Sequence, residues 1–218
     1  SSVSRLTRWI RTPIISTDGS GAATTPSSFM TLRSFFRSVV PRRVCIELFA
    51  APRDRAASDP PPEPRVREVT LAWIDTPTAC HAHLAPFFAT DPHLALVDRV
   101  APSRFARGDT LWILFDRGSP VHFAWSRHDG RLDLSYELGR DACWSLPPKS
   151  VVIYDCYTLG AARGRGYYPV ALRCLCDHFP TATLWIYCAS QNCASLSGIR
   201  KAGFAWQQRL CRWRWLQR

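Results

Sequence analysis

The feature that most constrains the fold is an apolar run, "SVVIYDCYTL", which leads through the glycine- and arginine-rich segment "ARGRGYY" into a helical pattern. An apolar run of this length, bounded by turn signals, predicts a buried strand. The segments that follow, "YYPVALRCLCDHF" and "TATLWIYCA", predict a helix and a second strand. A strand, a helix and a strand in this order form a right-handed crossover between parallel strands. We therefore expect a mixed α/β domain that contains this crossover.

Other segments predict further helices and strands. "MTLRSFFRSVV" and "TACHAHLAPFF" have helical spacing, the second capped by Thr76 or Thr78, whereas "RVCIELFA" and "VREVTLAWI" predict strands. "DTLWILF" and "VHFAWSRH" predict a hairpin, "RLDLSYEL" a shorter strand, "NCASLSGIRKAG" a helix and "FAWQQRLCRWRWLQ" a closing strand. This order of elements fits neither a Rossmann repeat nor an all-β barrel.

The composition changes once along the chain, in "APRDRAASDPPPEPR" at residues 51–65. Proline and charge at this density exclude regular structure and indicate a linker or a long loop. We therefore predict two parts. Residues 1–65 form an N-terminal extension that ends in this proline-rich linker, and residues 66–218 form the globular domain.

The chain is strongly basic, with a net charge of +11 that comes almost wholly from arginine. A basic surface attracts nucleic acid, acidic membranes and anionic small molecules alike, so charge alone does not select a partner. No uncharged apolar run approaches the roughly 20 residues of a membrane helix. We therefore predict that no segment spans a membrane.

The nine cysteines are odd in number and never form a C-x-x-C pair. Zinc knuckles and redox pairs use that spacing. The cysteines are therefore predicted to be reduced and to act as small apolar residues, with no metal site, in a cytoplasmic protein.

The glycine- and arginine-rich segment lies where a strand passes into a helix. A helix N-terminus leaves backbone N–H groups unpaired and carries a partial positive charge, so it attracts anions. Gly164 and Gly166 permit close approach of a ligand, and Arg163 and Arg165 add charge. Taken alone, the segment is equally compatible with a basic turn that caps a helix.

Together with two later motifs, this segment resembles the signature of the GNAT superfamily of N-acyltransferases. The family pattern Gln/Arg-x-x-Gly-x-Gly/Ala is matched by "RGRGYY" at Arg163 and Gly166, with Tyr168 where glycine or alanine is usual. Asn192 matches the asparagine that opens the next helix, and "KAGF" at residues 201–204 matches its end. The resemblance covers residues 66–218, and residues 1–65 have no counterpart.

The resemblance implies a mostly antiparallel sheet, flanked by helices, whose fourth and fifth strands splay apart around acetyl-CoA or another acyl-CoA. It implies that the pyrophosphate binds the amides of residues 163–168 and that the pantetheine arm pairs with strand four. Asn192 is expected to bond to that arm and Ser195 to face the same groove. The implied cofactor-binding residues are Tyr157, Thr158, Leu159, Arg163, Gly164, Arg165, Gly166, Tyr167, Tyr168, Asn192 and Ser195, with Tyr168 at the phosphate end.

Each of these assignments has a simpler structural alternative. Asn192 is also a good helix N-cap, and Ser195 is also a small residue suited to helix packing. The motifs for acid and base differ from those of better-known members of the family. The usual strand-four glutamate would fall near Val152, and a usual tyrosine is replaced by Ile199.

The catalytic candidates are therefore Asp155, Tyr157 and Ser195. Asp155 and Tyr157 are expected to share a face of their strand, because side chains alternate with period two. Glu137 and His122 are expected on the preceding strands, from which they could reach the gap. An acyl-cysteine at Cys188 or Cys193 has no supporting His or Asp pattern.

The resemblance predicts an enzyme that transfers an acetyl or short acyl group from acyl-CoA to a primary amine of a small molecule, by direct attack in a ternary complex. The absent glutamate and tyrosine motivate an alternative, a GNAT-like CoA-binding sensor or interaction module. The positive charge and the segment "RLCRWRWLQR" suggest a nucleic-acid binder. The alternation of residues in this segment is equally typical of a half-exposed strand, so no nucleic acid is expected as a partner. A homodimer is compatible with the sequence.

Overall fold

The computed structural model describes residues 39–51, 69–74 and 76–217. Val44–Arg212 form one compact unit, to which the fold and the site below belong. The described residues of the second unit, 39–43 and 213–217, are strand ends. The helix predicted in "MTLRSFFRSVV" lies outside the described residues apart from Val39 and Val40, which begin a strand. Residues 52–65 of the predicted linker lie outside them as well.

The main sheet has seven strands in the order β2-β3-β4-β7-β8-β1-β9. Strands β7 and β8 run parallel, whereas the pairs β2–β3, β3–β4, β4–β7 and β1–β8 are antiparallel. The strands are β1 Val39–Ala51, β2 Val69–Ile74, β3 Thr110–Asp116, β4 Ser119–Arg127, β7 Ser150–Thr158, β8 Thr183–Ala189 and β9 Ala205–Gln217. Two short strands, β5 Arg131–Asp133 and β6 Cys143–Ser145, pair in a separate sheet.

The described α-helices are α1 Pro77–Thr90, α2 Ala95–Ala106, α3 Ser135–Leu138, α4 Tyr167–His178 and α5 Cys193–Lys201. The predicted cap of α1 is confirmed, because the Thr76 side chain accepts from the Ala79 amide at 3.4 Å. The predicted hairpin, the crossover through α4 and helix α5 are confirmed as well. Helix α2 was not predicted. No helix in the described part of the chain is long and apolar enough to cross a membrane.

The prediction of one strand over "RLDLSYEL" is wrong. Only the first residues form a strand, β5, and the rest form helix α3. The Asp133 carboxylate accepts from the Ser135 amide at 3.0 Å, which turns the chain out of the extended conformation. Glu137 therefore projects from a helix rather than from a strand.

Strand β1 belongs to the main sheet. It lies between β8 and β9, and its register with β8 runs from Ile46↔Ala189 to Ala51↔Leu184. The domain boundary predicted at residue 65 places this strand in the extension. In the structure it is an inner strand of the sheet and therefore part of the same sheet as β7 and β8.

A disulfide joins Cys45 and Cys211, which lie in β1 and β9. The prediction that the cysteines are all reduced is therefore wrong for this pair. The sequence does not indicate this disulfide, because its cysteines are 166 residues apart and pair only when β1 and β9 become neighbours in the sheet. The expectation of a cytoplasmic protein rested on reduced thiols, and the disulfide removes that support.

Apolar side chains cover both faces of the sheet. On one face α4 and α5 bury Leu172, Leu175 and Ile199 against β7 and β8. On the other face α1 and α2 pack over β3 and β4, and α3 packs over β8 and β1. Burying a side chain of this size contributes about 1.5–3 kcal/mol, so these layers fix the crossover firmly.

The parallel pairing of β7 and β8 stops part of the way along the strands. Its register runs from Ser150↔Thr183 to Ile153↔Ile186, although β7 continues to Thr158 and β8 to Ala189. Beyond Ile153 and Ile186 the two strands no longer pair with each other, which leaves a gap in the hydrogen bonding between them. We call this gap the wedge and define it by Cys156 and Thr158 on one side and Cys188 on the other.

Candidate functional site

The turn before α4 presents unpaired backbone amides. A 3₁₀ turn, Gly160–Ala162, is followed by Gly164 with φ 77° and by Gly166 with φ 90°, which is the N-cap of α4 and lacks a side-chain cap. Among the described residues, no group accepts from the amides of residues 164–168. We call these five amides the cradle. Because a helix N-terminus also favours negative charge, the cradle can bind an anion.

The two glycines of the turn face open space. A Cβ placed on Gly164 or Gly166 would meet nothing within 4 Å. A diphosphate could therefore reach the cradle amides without moving a neighbouring side chain. The amide of Arg163, which the sequence also assigned to this role, donates to the Gly160 carbonyl at 3.3 Å and stands apart from the cradle.

The Arg163 side chain turns back toward β7. Its Nε donates to the Thr158 carbonyl at 3.1 Å, and its guanidinium lies 5.1 Å from the centre of the Tyr157 ring. The Leu159 amide donates to the Val121 carbonyl at 3.0 Å. A pantetheine arm that pairs with this end of β7 therefore has to compete with Arg163 for the Thr158 carbonyl.

Strand β7 contains a β-bulge where it leaves β8. Tyr154 and Tyr157 pair with β4 residues two apart, so Asp155 and Cys156 together face Ala124. Asp155 has φ 46°, in the left-handed region. The extra residue resets the alternation, so Tyr154 and Tyr157 both lie in the apolar cluster under α1 and α2.

Asp155 and Tyr157 both contact the α1–α2 side of the sheet, although the bulge breaks the period-two alternation on which their predicted common face rested. The Asp155 carboxylate pairs with Arg104 of α2, and the Tyr157 hydroxyl donates to Asp91, between α1 and α2, at 3.3 Å. The Asp155 side chain is 46% exposed and that of Arg104 only 13%. Asp155 is therefore a paired and partly exposed carboxylate rather than an unpaired buried one.

Glu137 of α3 lies close to Asp155 of β7 and to Tyr187 of β8. The Tyr187 hydroxyl of β8 hydrogen-bonds to Glu137, and the Asp155 carboxylate is close enough to interact electrostatically with it. Burial and the Asp155 charge raise the pKa of Glu137 to about 7. Glu137 lies on α3 rather than on the predicted strand, and its reach into the gap stays a prediction. A carboxyl group that exchanges a proton near neutral pH can act as a base or an acid.

Tyr168 enters the wedge from the opposite face. Its backbone amide belongs to the cradle, but its side chain packs with the partly buried Cys156 and Cys188 against the α4–α5 core. The hydroxyl hydrogen-bonds to Cys156. The place of Tyr168 at the phosphate end stays a prediction for its backbone amide, whereas its side chain extends to Cys156.

His122 is buried behind Tyr168. Its Nδ1 lies 2.8 Å from the Thr158 hydroxyl, and its ring centre lies 5.4 Å from that of Tyr168. Within the described residues Nε2 has no hydrogen-bond partner. Burial lowers the pKa of His122 to about 3, so the imidazole is neutral at physiological pH.

Asn192 is the N-cap of α5, as its structural alternative predicted. Its side-chain oxygen accepts from the Ser195 amide at 3.1 Å. The cap orients the asparagine at the end of the loop after β8, with its side-chain NH₂ group still able to donate. Both residues lie at the start of α5, and their contact with a ligand stays a prediction.

The candidate Cys188 and its neighbour Cys156 are unsuited to nucleophilic attack. Burial raises the pKa of the Cys188 thiol to about 12 and raises that of Cys156 further. Few thiolates form under these conditions. Cys193 is exposed on α5.

Sequence patterns did not identify Arg104 and Tyr187 as residues of this region. Arg104 lies on the unpredicted helix α2, and Tyr187 looks like an ordinary aromatic residue of a buried strand. No motif marks either position.

The sequence matches no protein-family model and no curated protein. Several solved structures are similar to the chain. One is an acetyltransferase of the GNAT family from Colwellia psychrerythraea, at 16% identity and a TM-score of 0.49, with 83% of this chain and 57% of that chain covered. Another, a functionally unknown conserved protein from Staphylococcus epidermidis, has 13% identity, a TM-score of 0.50 and coverages of 81% and 62%.

A third is AAC(6')-Ib in complex with paromomycin and acetyl-CoA, at 20% identity and a TM-score of 0.50, with 70% of this chain and 94% of that chain covered. The chain thus spans little more than half of the Colwellia protein but nearly all of AAC(6')-Ib. At these identities the likeness concerns the fold. The predicted fold, a mostly antiparallel sheet with helices on both faces and a splayed strand pair, is confirmed.

Proposed function

We propose that the chain is an N-acyltransferase that moves an acetyl or short acyl group from acyl-CoA to a primary amine of a small molecule. The observation that carries this proposal is the junction of the cradle with the wedge. Five unpaired amides lie at the start of α4, beside the point where β7 and β8 separate. This arrangement suits a ligand with a diphosphate at one end and a long, narrow arm at the other.

The pyrophosphate of acyl-CoA is assigned to the cradle with Arg165 beside it, and Arg163, which donates to the Thr158 carbonyl, lies beside the arm. The pantetheine arm follows the end of β7 into the wedge, near Thr158 and Leu159, and Asn192 and Ser195 lie on the far side. Acyl-CoA supplies an activated thioester, and the chain's residues align it with the amine. Alignment of this kind lowers a barrier by several kcal/mol.

The proton of the attacking amine needs an acceptor on the α2–α3 side of the wedge. Asp155 and Glu137 lie there, and Glu137 exchanges a proton near pH 7. The proposal therefore adds Glu137 to the catalytic candidates Asp155, Tyr157 and Ser195. It gives Tyr157 a positioning role, because its hydroxyl is bonded to Asp91.

A second candidate is a GNAT-like protein that binds CoA without useful catalysis. Two apolar residues favour it, because Val152 and Ile199 are buried at positions where the resemblance places an acid or a base. A homodimer and a cytoplasmic location stay predictions in either case.

Thermal unfolding and thiol release with acetyl-CoA, measured across a panel of small amines, test both candidates. A ligand at 100 times its Kd stabilises a protein by about 2.7 kcal/mol. Stabilisation with thiol release supports the transferase, and stabilisation alone supports the second candidate. If acetyl-CoA and CoA leave the unfolding temperature unchanged, both candidates are contradicted.

The substitution Gly166→Glu tests the cradle. Gly166 has φ 90° and its amide is one of the five, so a carboxylate there repels a diphosphate. We expect stabilisation by acetyl-CoA to disappear while the protein stays folded. The matched control is Gly130→Glu, because Gly130 also has positive φ (69°) and open space. Both variants should lose about 1–2 kcal/mol of stability to backbone strain, and Gly130→Glu should still bind acetyl-CoA.

A further inference from the structure

Acyl transfer from a thioester leaves a thiolate, and its charge has to be stabilised inside the wedge. A donor that is already in place as the C–S bond lengthens stabilises that charge more than solvent does. This inference rests on the proposed function and concerns the sulfur end of the same reaction.

Tyr168 is the aromatic residue whose hydroxyl reaches the middle of the wedge. Its side chain starts in the first turn of α4 and ends at a hydrogen bond with Cys156, the β7 residue of the bulge. Cys188 of β8 is close enough to interact electrostatically with it. The phenol therefore spans from the cradle to the point where the two strands separate, and its present partner is a sulfur atom.

Gly198 fixes the position of the ring. A Cβ on Gly198 of α5 would lie 2.4 Å from Cδ1 of Tyr168, so the ring rests directly on the helix backbone. The next residue, Ile199, is fully buried. On the other side the ring lies near His122, which is itself bonded to Thr158. The ring is therefore held from both sides while its hydroxyl faces the wedge.

The phenol also keeps its proton. Burial and the nearby Cys156 and Cys188 raise the pKa of Tyr168 well above its usual range. A neutral hydroxyl can donate to an anion at any pH at which the protein works.

We propose that the Tyr168 hydroxyl exchanges its bond with Cys156 for one to the sulfur of acyl-CoA and stabilises the departing thiolate. The amine nitrogen forms the new C–N bond and gives a proton to the carboxylate of Glu137 or Asp155. The C–S bond breaks, its electron pair stays on sulfur, and CoA leaves as the thiolate held by the Tyr168 hydrogen bond. Tyr168 keeps its own proton throughout, so charge and protons balance.

The test compares Tyr168→Phe with wild type and with Tyr136→Phe. Phenylalanine keeps the ring on Gly198 and removes only the hydroxyl. Tyr136, 52% exposed on α3, provides the control for loss of a phenol elsewhere. We expect Tyr168→Phe to lower kcat about 10- to 100-fold with acetyl-CoA affinity unchanged, because losing a hydrogen bond to a charged group slows a reaction by about that factor. Tyr136→Phe should retain wild-type kcat.

A second measurement reports on the hydrogen bond itself. The thiol of bound CoA is titrated through the ultraviolet absorbance of its thiolate in wild type and in Tyr168→Phe. Loss of the donor should raise its apparent pKa by about one unit or more, a tenfold change. Equal kcat, equal thiol pKa or tighter CoA binding in Tyr168→Phe would overturn the inference alone. Absence of thiol release by wild type would instead overturn the proposed function.

Discussion

Glu137 keeps a proton at a pH at which an ordinary glutamate has lost it. The cause is burial of its carboxyl group, together with the charge of the nearby Asp155 carboxylate, and both raise the pKa of Glu137. The pKa is raised in the folded protein, so the proton binds the folded chain more tightly than the unfolded chain. The stability that this provides is fully present below the unfolded pKa and is lost as pH rises toward about 7.

We therefore predict that replacing Glu137 by Gln flattens the dependence of stability on pH. In wild type the free energy of unfolding should fall by up to about 3 kcal/mol between pH 4.5 and 7 because of this residue. The Glu137→Gln variant should lack that decrease. Denaturant titrations at several pH values measure it, with Asp141→Asn, whose side chain is 89% exposed, as the control. An unchanged slope in Glu137→Gln would contradict the assignment.

At the scale of secondary-structure elements, α4 and α5 are locked together by one aromatic ring. Gly198 lies inside α5, where alanine would ordinarily favour the helix by about 1 kcal/mol. The Tyr168 ring of α4 occupies the space that the new methyl group would need. The two residues should therefore show strong coupling.

A double-mutant cycle tests this coupling. Gly198→Ala alone should destabilise the protein by about 1–3 kcal/mol, because the ring or the helix has to move. In a Tyr168→Ala background the same substitution should stabilise by about 0.5–1 kcal/mol. Chemical denaturation of the four proteins gives the coupling energy. A Gly198→Ala effect that is the same in both backgrounds would show that the ring lies elsewhere.

Sequence patterns predicted those elements whose apolar spacing matches their packing, such as β7, α4, β8 and α5. Helix α2 was missed because Pro102 and its charged residues break the pattern, whereas burial of Val97 and Ala101 maintains the helix. Helix α3 was missed because "LDLSYEL" alternates like a strand. The helix starts where the Asp133 carboxylate accepts from the Ser135 amide, and the spacing of apolar residues does not reveal that contact.

The candidate site was predictable to a similar degree. The glycines of the cradle and the cap at Asn192 follow from local backbone chemistry, which a motif records. The bulge at Asp155 depends on pairing with β4, and the direction of the Tyr168 side chain depends on α5. Both are tertiary effects, and no local pattern encodes them.

At the scale of the compact unit, β1 and β9, the first and last strands along the chain, are neighbours in the main sheet and are linked by side chains. Within β1 and β9, buried Glu47 accepts from Trp206 Nε1 at 2.9 Å and from Arg209 Nε at 2.6 Å. The Cys45–Cys211 disulfide adds a covalent link between residues 166 apart in sequence. A link across so long a loop restricts the unfolded chain by about 4–5 kcal/mol in the chain-entropy model.

We predict that reduction, or the double substitution Cys45→Ser and Cys211→Ser, lowers the unfolding temperature by roughly 8–20 °C. The doubly substituted protein should no longer respond to reductant. Cys143→Ser, at an unpaired and partly buried cysteine, should still respond as wild type does. Titration of the thiols in denaturant counts the cysteines that are not in a disulfide. Seven of the nine cysteines should react before reduction, and nine reactive thiols at that stage would contradict the disulfide.

The same link makes the chain between Cys45 and Cys211 a covalent ring. A single protease cut anywhere inside a ring opens it without releasing a fragment. On a non-reducing gel, a molecule nicked in the hairpin loop at Arg117 and Gly118 should therefore migrate close to the uncut chain, and only reductant should separate its two halves. Limited proteolysis of this protein has to be read under reducing conditions, because otherwise the most accessible loops look resistant.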